Sequence, residues 1–223
     1  MTALIKLSHI NYSYEKIPAL HDISLEIKSG EFILLTGPNG CGKSTLFKLL
    51  NGLIFPSSGK YFFDGQPITP LSLKDNLTAK KFHKRIGYVF QNPDTQLFNP
   101  TVYDEVAFGP RQMAFTESAT AARVTELLDF LKISHLKNRA PYHLSGGEKK
   151  KVSIAAVLAL NPDVLMMDEP LNGLDEKSQI WIKDFISAFS AVGKTMLITN
   201  HERDLLNIKD SRIIQFNEQH QLV

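Results

Sequence analysis

Gly37, Gly42, Lys43 and Ser44 stand at the spacing G-x-x-x-x-G-K-[ST], inside the stretch Glu31–Leu50, EFILLTGPNGCGKSTLFKLL. That spacing marks a phosphate-binding loop when a strand precedes it and a helix follows. The apolar run Phe32–Thr36 reads as the buried strand. Lys43–Leu50 opens the helix, with Leu46, Leu49 and Leu50 on its inner side. Triphosphate oxygens must be surrounded by backbone N–H groups. So tight a turn needs positions without a Cβ, here Gly37, Gly40 and Gly42. The helix directs its positive end at the anion. Lys43 can set its ammonium on the β- and γ-phosphates, and the Ser44 hydroxyl can join a Mg²⁺ ion. Cys41 is the only cysteine, so no internal disulfide forms, and it reads as a small loop side chain.

A nucleotide site also needs acid at a strand end. Val164–Met167 is apolar and belongs in a sheet interior, so Asp168 and Glu169 must emerge at its C-terminal edge, where α/β ligands bind. Asp168 can hold Mg²⁺ through water, and Glu169 can orient or deprotonate an attacking water. An acid pair at a strand end is weak evidence alone and strong beside Gly37–Ser44. His201 follows the strand Lys194–Thr199, and Gln91 ends the strand Arg85–Phe90. Each taken singly is more often an ordinary surface or core residue. Tyr12 and Tyr14 either stack on a base or pair across strands. Leu144–Glu148, LSGGE, opens a long helix. Ser145, Gly146 and Gly147 make an anion-binding N-terminus, and Ser145 with Glu148 also fits a capping box. A chain with one complete phosphate site offers a second such turn to a neighbour's nucleotide, which requires a dimer.

The elements that position these groups follow from periodicity. Strands are expected at Ala3–Ile10, Leu20–Ile27, Gly59–Asp64 and Arg212–Phe216, with Tyr12–Tyr14 and Lys16–Pro18 as a turn region. Pro67–Ala79 reads as loop plus a short helix. Val102–Phe108, Thr116–Leu131, Gly146–Leu160, Lys177–Phe189 and His201–Asn207 read as helices. Strands alternating with helices imply an α/β fold with a mostly parallel core sheet covered on both faces. The stretch between Gln91 and Pro141 breaks that rhythm with helices and loops only. With the helix from Gly146 it forms an inserted helical subdomain, 91–161, between nucleotide-binding portions 1–90 and 162–223 of one domain.

With 223 residues, 43% hydrophobic and 22% charged, the composition is that of a globular domain. A net charge of +2 is too small to argue for nucleic acid. The N-terminus lacks the apolar core of a signal peptide, and the best membrane-span candidate, Val152–Leu160, is too short. A cytosolic protein is expected, with docking on a membrane protein left open.

Taken together, these motifs resemble an ATP-binding cassette ATPase over nearly the whole chain. The resemblance implies a P-loop NTPase cassette with N-terminal antiparallel β strands and the inserted helical subdomain. It makes Gly37–Thr45 (with Pro38, Asn39 and Thr45 among the ATP-binding residues) the Walker A loop. Val164–Glu169 becomes the Walker B strand with catalytic Glu169, and Leu144–Glu148 the signature motif. Gln91 takes the Q-loop position and shares Mg²⁺ with Ser44 and Asp168. His201 is the switch histidine, Tyr14 the adenine-stacking aromatic, and Asn172–Asp175 the D-loop region. Two departures stand out: Leu171–Asp175 lacks the common small or hydroxyl pair, and Asn200 replaces a common threonine.

Such proteins form head-to-tail dimers in which each ATP lies between one subunit's Walker motifs and the other's signature motif, touched here by Ser145, Gly146, Gly147, Glu148 and Asp175. Phe90–Pro110 is similar to the corresponding stretch in energy-coupling-factor and cobalt/nickel importer ATPases. That likeness implies hydrolysis of ATP to ADP and phosphate at the cytoplasmic face of the membrane. It further implies a homo- or heterodimer under an integral coupling protein and a substrate-binding membrane subunit. The cargo would be a transition-metal ion or a vitamin. Leu97, Phe98, Val102 and Phe108 either receive a coupling helix or pack the subdomain, and some of them do the latter. An exporter subunit, or a cassette protein of DNA repair or translation, is the alternative. Repair types carry a long coiled-coil insertion, and no heptad run separates Ser44 from Glu169.

Overall fold

The computed structural model describes residues 3–200 and 211–223. Two sheets form its frame. One is antiparallel, ordered β2-β1-β4-β5, from β1 (Ile5–Tyr14), β2 (Ile17–Ile27), β4 (Ser58–Phe63) and β5 (Gln66–Pro67). The other is ordered β6-β7-β8-β3-β9, with β3 (Phe32–Thr36), β6 (Ile86–Val89), β7 (Val164–Asp168), β8 (Thr195–Thr199) and β9 (Ser211–Gln215). All its pairings are parallel. The expected α/β architecture, with a parallel core and N-terminal antiparallel strands, is what the chain adopts.

Parallel strands covered on both faces need apolar side chains pointing both ways, which is why FILL, VLMM and MLI carry no polar interruption. Phe32, Leu34, Leu165, Met167, Met196 and Ile198 meet a core built with α3 (Val102–Gln112), α4 (Glu117–Phe130), α5 (Gly146–Leu158) and α6 (Glu176–Ala191). Ile33, Leu35, Val164, Met166 and Leu197 point the other way, onto α1 (Lys43–Leu50) and the antiparallel sheet. Between β6 and β7 the chain is helix and loop.

Three expectations change. Tyr12–Tyr14 and Ile17–Pro18 are paired strand rather than turn, with Tyr12 opposite Leu20 and Tyr14 opposite Ile17. The reversal is confined to Glu15 and Lys16, Glu15 taking φ 54°. The helix before β6 is longer and later than expected: α2 spans Asn76–Arg85, capped by Asp75, whose carboxylate accepts the Thr78 N–H at 2.8 Å. Its polar sequence buries only Phe82, so the apolar pattern was too thin to reveal it. β6 is also shorter than Arg85–Phe90, because Arg85 closes α2. The Arg85 guanidinium then bridges Asp163 at 2.5 Å and Asp64 at 2.7 Å, joining the β4–β5 turn to the start of β7.

Met166 lies at the middle of β7 with no exposed surface. Met166→Ala should lower unfolding stability by about 2–5 kcal/mol, read as an earlier urea midpoint. An unchanged midpoint would contradict the packing described.

Candidate active site

The register of the parallel sheet sets the site. Leu35 of β3 and Asp168 of β7 both pair with Thr199 of β8, so the three strand ends stop at one level. The phosphate loop leaves from the first and the acid pair from the second. Between the loop and α1, Gly42 takes φ 112°, and a Cβ there would collide with the Ala19 carbonyl of β2. This close approach seats the loop against the β1–β2 hairpin. Tyr14, near the hairpin tip, is exposed, meets Tyr12 edge-to-face at 5.0 Å, and lies 5.9 Å from the Lys48 ammonium on α1. An aromatic ring therefore stands beside the last turn of α1.

Pro38, Asn39 and Gly40 are exposed, whereas Cys41, Lys43 and Thr45 are buried. The Lys43 ammonium donates to the Gly37 and Pro38 carbonyls at 2.9 and 2.8 Å, with the Cys41 thiol at 3.8 Å. Its charge is thus held inside the loop. Asn39, Gly40, Gly42, Lys43, Ser44, Thr45 and Glu169 together line a cleft of about 130 Å³.

Asp168 is 3% exposed. Its Oδ1 accepts the Thr199 hydroxyl at 2.6 Å and its Oδ2 accepts the Tyr88 phenol at 3.0 Å. Burial, then the charge of Asp168, pushes the Tyr88 phenol far above its ordinary value, so Tyr88 stays a donor. The Glu169 N–H donates to the same Thr199 oxygen at 2.8 Å. Glu169 has φ 42°, a left-handed conformation a non-glycine residue holds only where its surroundings over-determine it. Its carboxylate accepts from the Gln91 amide at 2.8 Å and from Asn172 at 3.2 Å.

Lys150 of α5 donates to the Phe90 and Gln91 carbonyls, and burial lowers its pKa to about 8. Sequence reading passed over Tyr88, Thr199 and Lys150. The first two lie inside runs read as plain strand. Lys150 had a signal, since Gly147, Lys150, Ile154 and Leu158 form one buried helical stripe.

The turn before α5 is the expected capping box. Ser145 Oγ accepts the Glu148 N–H, and the Glu148 carboxylate accepts the Ser145 N–H at 2.8 Å. The Ser145 N–H and hydroxyl, both donating to it, hold the Glu148 carboxyl below its usual range. The two glycines differ. Gly146 is exposed and would meet only Leu174 at ordinary contact distance, whereas a Cβ on Gly147 would strike Ser178 of α6. Asp175 caps α6, accepting the Ser178 N–H at 2.8 Å, which holds its carboxyl low.

Gln91, Asp94, Gly146, Lys149, Asn172 and Gly173 line a second cleft of about 470 Å³. It brings the Gln91, signature and Asn172–Asp175 stretches to one opening. Of the four side chains read as either docking or packing, Val102 is fully buried and Leu97 packs against the same core. Both are structural, because Val102 starts α3 facing inward. Phe98 and Phe108 stay exposed, edge-to-face at 5.1 Å. His201 and the helix expected after it lie outside the described residues.

A family model described as "ABC transporter" matches residues 20–172. The chain belongs to the ATP-binding cassette family. It is 48% identical over 219 residues to the nickel import ATP-binding protein LarO of Lactiplantibacillus plantarum, covering 98% of this chain and 91% of that protein. CbiO1 of Clostridium perfringens, part of the transporter complex CbiONQ, superposes with TM-score 0.85 at 36% identity, covering 100% and 88% of the two chains. The dimeric, ADP- and phosphate-bound cassette MJ0796 superposes with TM-score 0.84 at 28% identity, covering 98% and 96%. This cassette is an ATPase that powers transport. Among its described residues no helix is long and apolar enough to cross a membrane.

The two signature glycines should separate experimentally. Gly147→Ala is expected to cost about 1–3 kcal/mol by overpacking against Ser178, visible in the melting temperature. Gly146→Ala should melt normally while slowing ATP hydrolysis. Equal melting losses would refute the distinction.

Proposed function

We propose that this chain is the ATP-hydrolysing subunit of an importer of a transition-metal ion, nickel or cobalt, with a vitamin as the other cargo class. The observation that carries the hydrolytic part is the single cleft onto which Lys43, Ser44 and Glu169 all open. Lys43 and the loop amides stabilise charge on the transferring phosphoryl group. Glu169, held by Gln91 and Asn172, orients the attacking water and accepts its proton. Tyr14 supports the adenine.

The donor set fits Mg²⁺. Ser44, Asp168 and Gln91 offer only oxygen, and among the described residues no cluster of three His, Cys, Asp or Glu forms a cage of the kind other metals use. Gln91 commits its amide N–H to Glu169, which turns its oxygen toward the acceptor role. When bound, Mg²⁺ neutralises charge on the β- and γ-phosphates. Ser44 would bind it directly and Asp168, braced by Tyr88 and Thr199, through water. His201 senses the γ-phosphate.

Ser145, Gly146, Gly147, Glu148 and Asp175 serve the nucleotide of a second ATPase subunit, identical or homologous, packed head to tail. The exposed Phe98–Phe108 pair meets an integral membrane coupling protein, which works with a substrate-binding membrane subunit at the cytoplasmic face. The metal cargo rests on the likeness to a nickel import protein and to a component of CbiONQ.

Two experiments test this. Glu169→Gln should keep ATP affinity, lose roughly a hundredfold or more in turnover, and elute as a nucleotide-bound dimer, and near-normal turnover would remove Glu169 from its role. For the cargo, cells expressing this chain with its membrane partners should accumulate radioactive nickel or cobalt, and Lys43→Ala should abolish uptake. Uptake of a vitamin and neither metal would reassign the cargo.

A further inference from the structure

Lys150 is the anomaly of the helical portion. It sits on the inward stripe of α5 with 1% of its surface exposed. A buried ammonium is costly unless its donors are answered. Here they are answered directly by two consecutive backbone carbonyls, Phe90 at 3.0 Å and Gln91 at 2.8 Å, with the Asp168 carboxylate acting on the charge from further off. An apolar side chain of similar length would fill that stripe without the desolvation cost. What the ammonium adds is a fixed direction for the backbone at the end of β6.

Neighbouring contacts act on the same few residues. Lys149, one position earlier on α5, pairs with Asp94 at 2.7 Å. From the opposite side the Gln96 amide accepts the Phe90 N–H at 3.0 Å and donates to the Tyr88 carbonyl at 3.2 Å. The stretch from Phe90 to Asp94 is therefore tied to α5 by two lysines and to β6 by a glutamine. At its centre the Gln91 side chain reaches Glu169. The helix carrying the lysines begins at Gly146, within two turns of Lys150.

We propose that Lys150 is a positioning residue for hydrolysis: its ammonium clamps the Phe90–Gln91 backbone to the signature helix, so that Gln91 is held on Glu169. The proposal rests on the roles given above to Gln91 and Glu169. A shift of α5 caused by nucleotide at its N-terminus in a partner's site would then reach this subunit's own Gln91 by a path of named contacts, Gly146 to Lys150 to Gln91 to Glu169.

The test is a double-mutant cycle on the intact chain. Lys150→Met keeps length and apolar stem and removes the donors. Lys150→Gln keeps two N–H donors on a shorter, uncharged side chain and serves as the second variant should the first fail to fold. Either should lower kcat by about tenfold or more while leaving KM for ATP within about twofold, with the glutamine variant milder. Combined with Gln91→Ala, neither should lower kcat further, because both act through one contact. Wild-type turnover in folded Lys150 variants, or deficits that multiply in the double variant, would overturn the proposal. Parent protein that fails to hydrolyse ATP would instead overturn the reading beneath it.

Discussion

A carboxylate buried at the end of a parallel strand has to be answered by donors from the strands beside it. Asp168 meets this demand on both sides, through Tyr88 of β6 and Thr199 of β8. Each donor is at the right height only because β6, β7 and β8 share one register. A slip of one residue in either pairing would turn a donor to the opposite face. It would leave a buried charge uncompensated, at a cost of several kcal/mol. The core that sets the register and the chemistry at its edge are therefore one constraint. Thr199 extends it by accepting the Glu169 N–H, which pins a backbone that no ordinary strand continuation would hold at φ 42°.

Much of this was legible in the residues. The phosphate loop, β3, α1 and β7 were readable because short apolar runs bounded by glycine or acid leave few alternatives. The Ser145–Glu148 capping box was readable because its chemistry is local. What escaped depended on partners distant in the chain. Tyr88 and Asp168 are far apart in sequence, and nothing in RIGYVF says that one phenol will be a brace. α2 escaped because a helix that buries a single phenylalanine has almost no apolar period. Apolar type alone does not tell a docking residue from a packing one among Leu97, Phe98, Val102 and Phe108; the place of Val102 at the start of α3 turns it inward.

The glycines illustrate how one motif divides its labour. Gly42 is needed for its backbone angle and for the nearness of Ala19, Gly147 for the nearness of Ser178, and Gly146 for neither. Sequence shows five glycines in the two phosphate-seeking turns, Gly37, Gly40, Gly42, Gly146 and Gly147. Structure separates those pressed against a neighbour, Gly37, Gly42 and Gly147, from Gly40 and Gly146, which stay exposed.

The contact between Gly147 and Ser178 has a mechanical consequence. Because Gly147 has no side chain, the Ser178 side chain of α6 packs directly against the first turn of α5, and Ser178 in turn fastens Asp175. The turns that open α5 and α6 are thus linked through one serine, not independent of each other. Bulk added at position 147 would therefore press on the Asp175 cap as well as on its own turn.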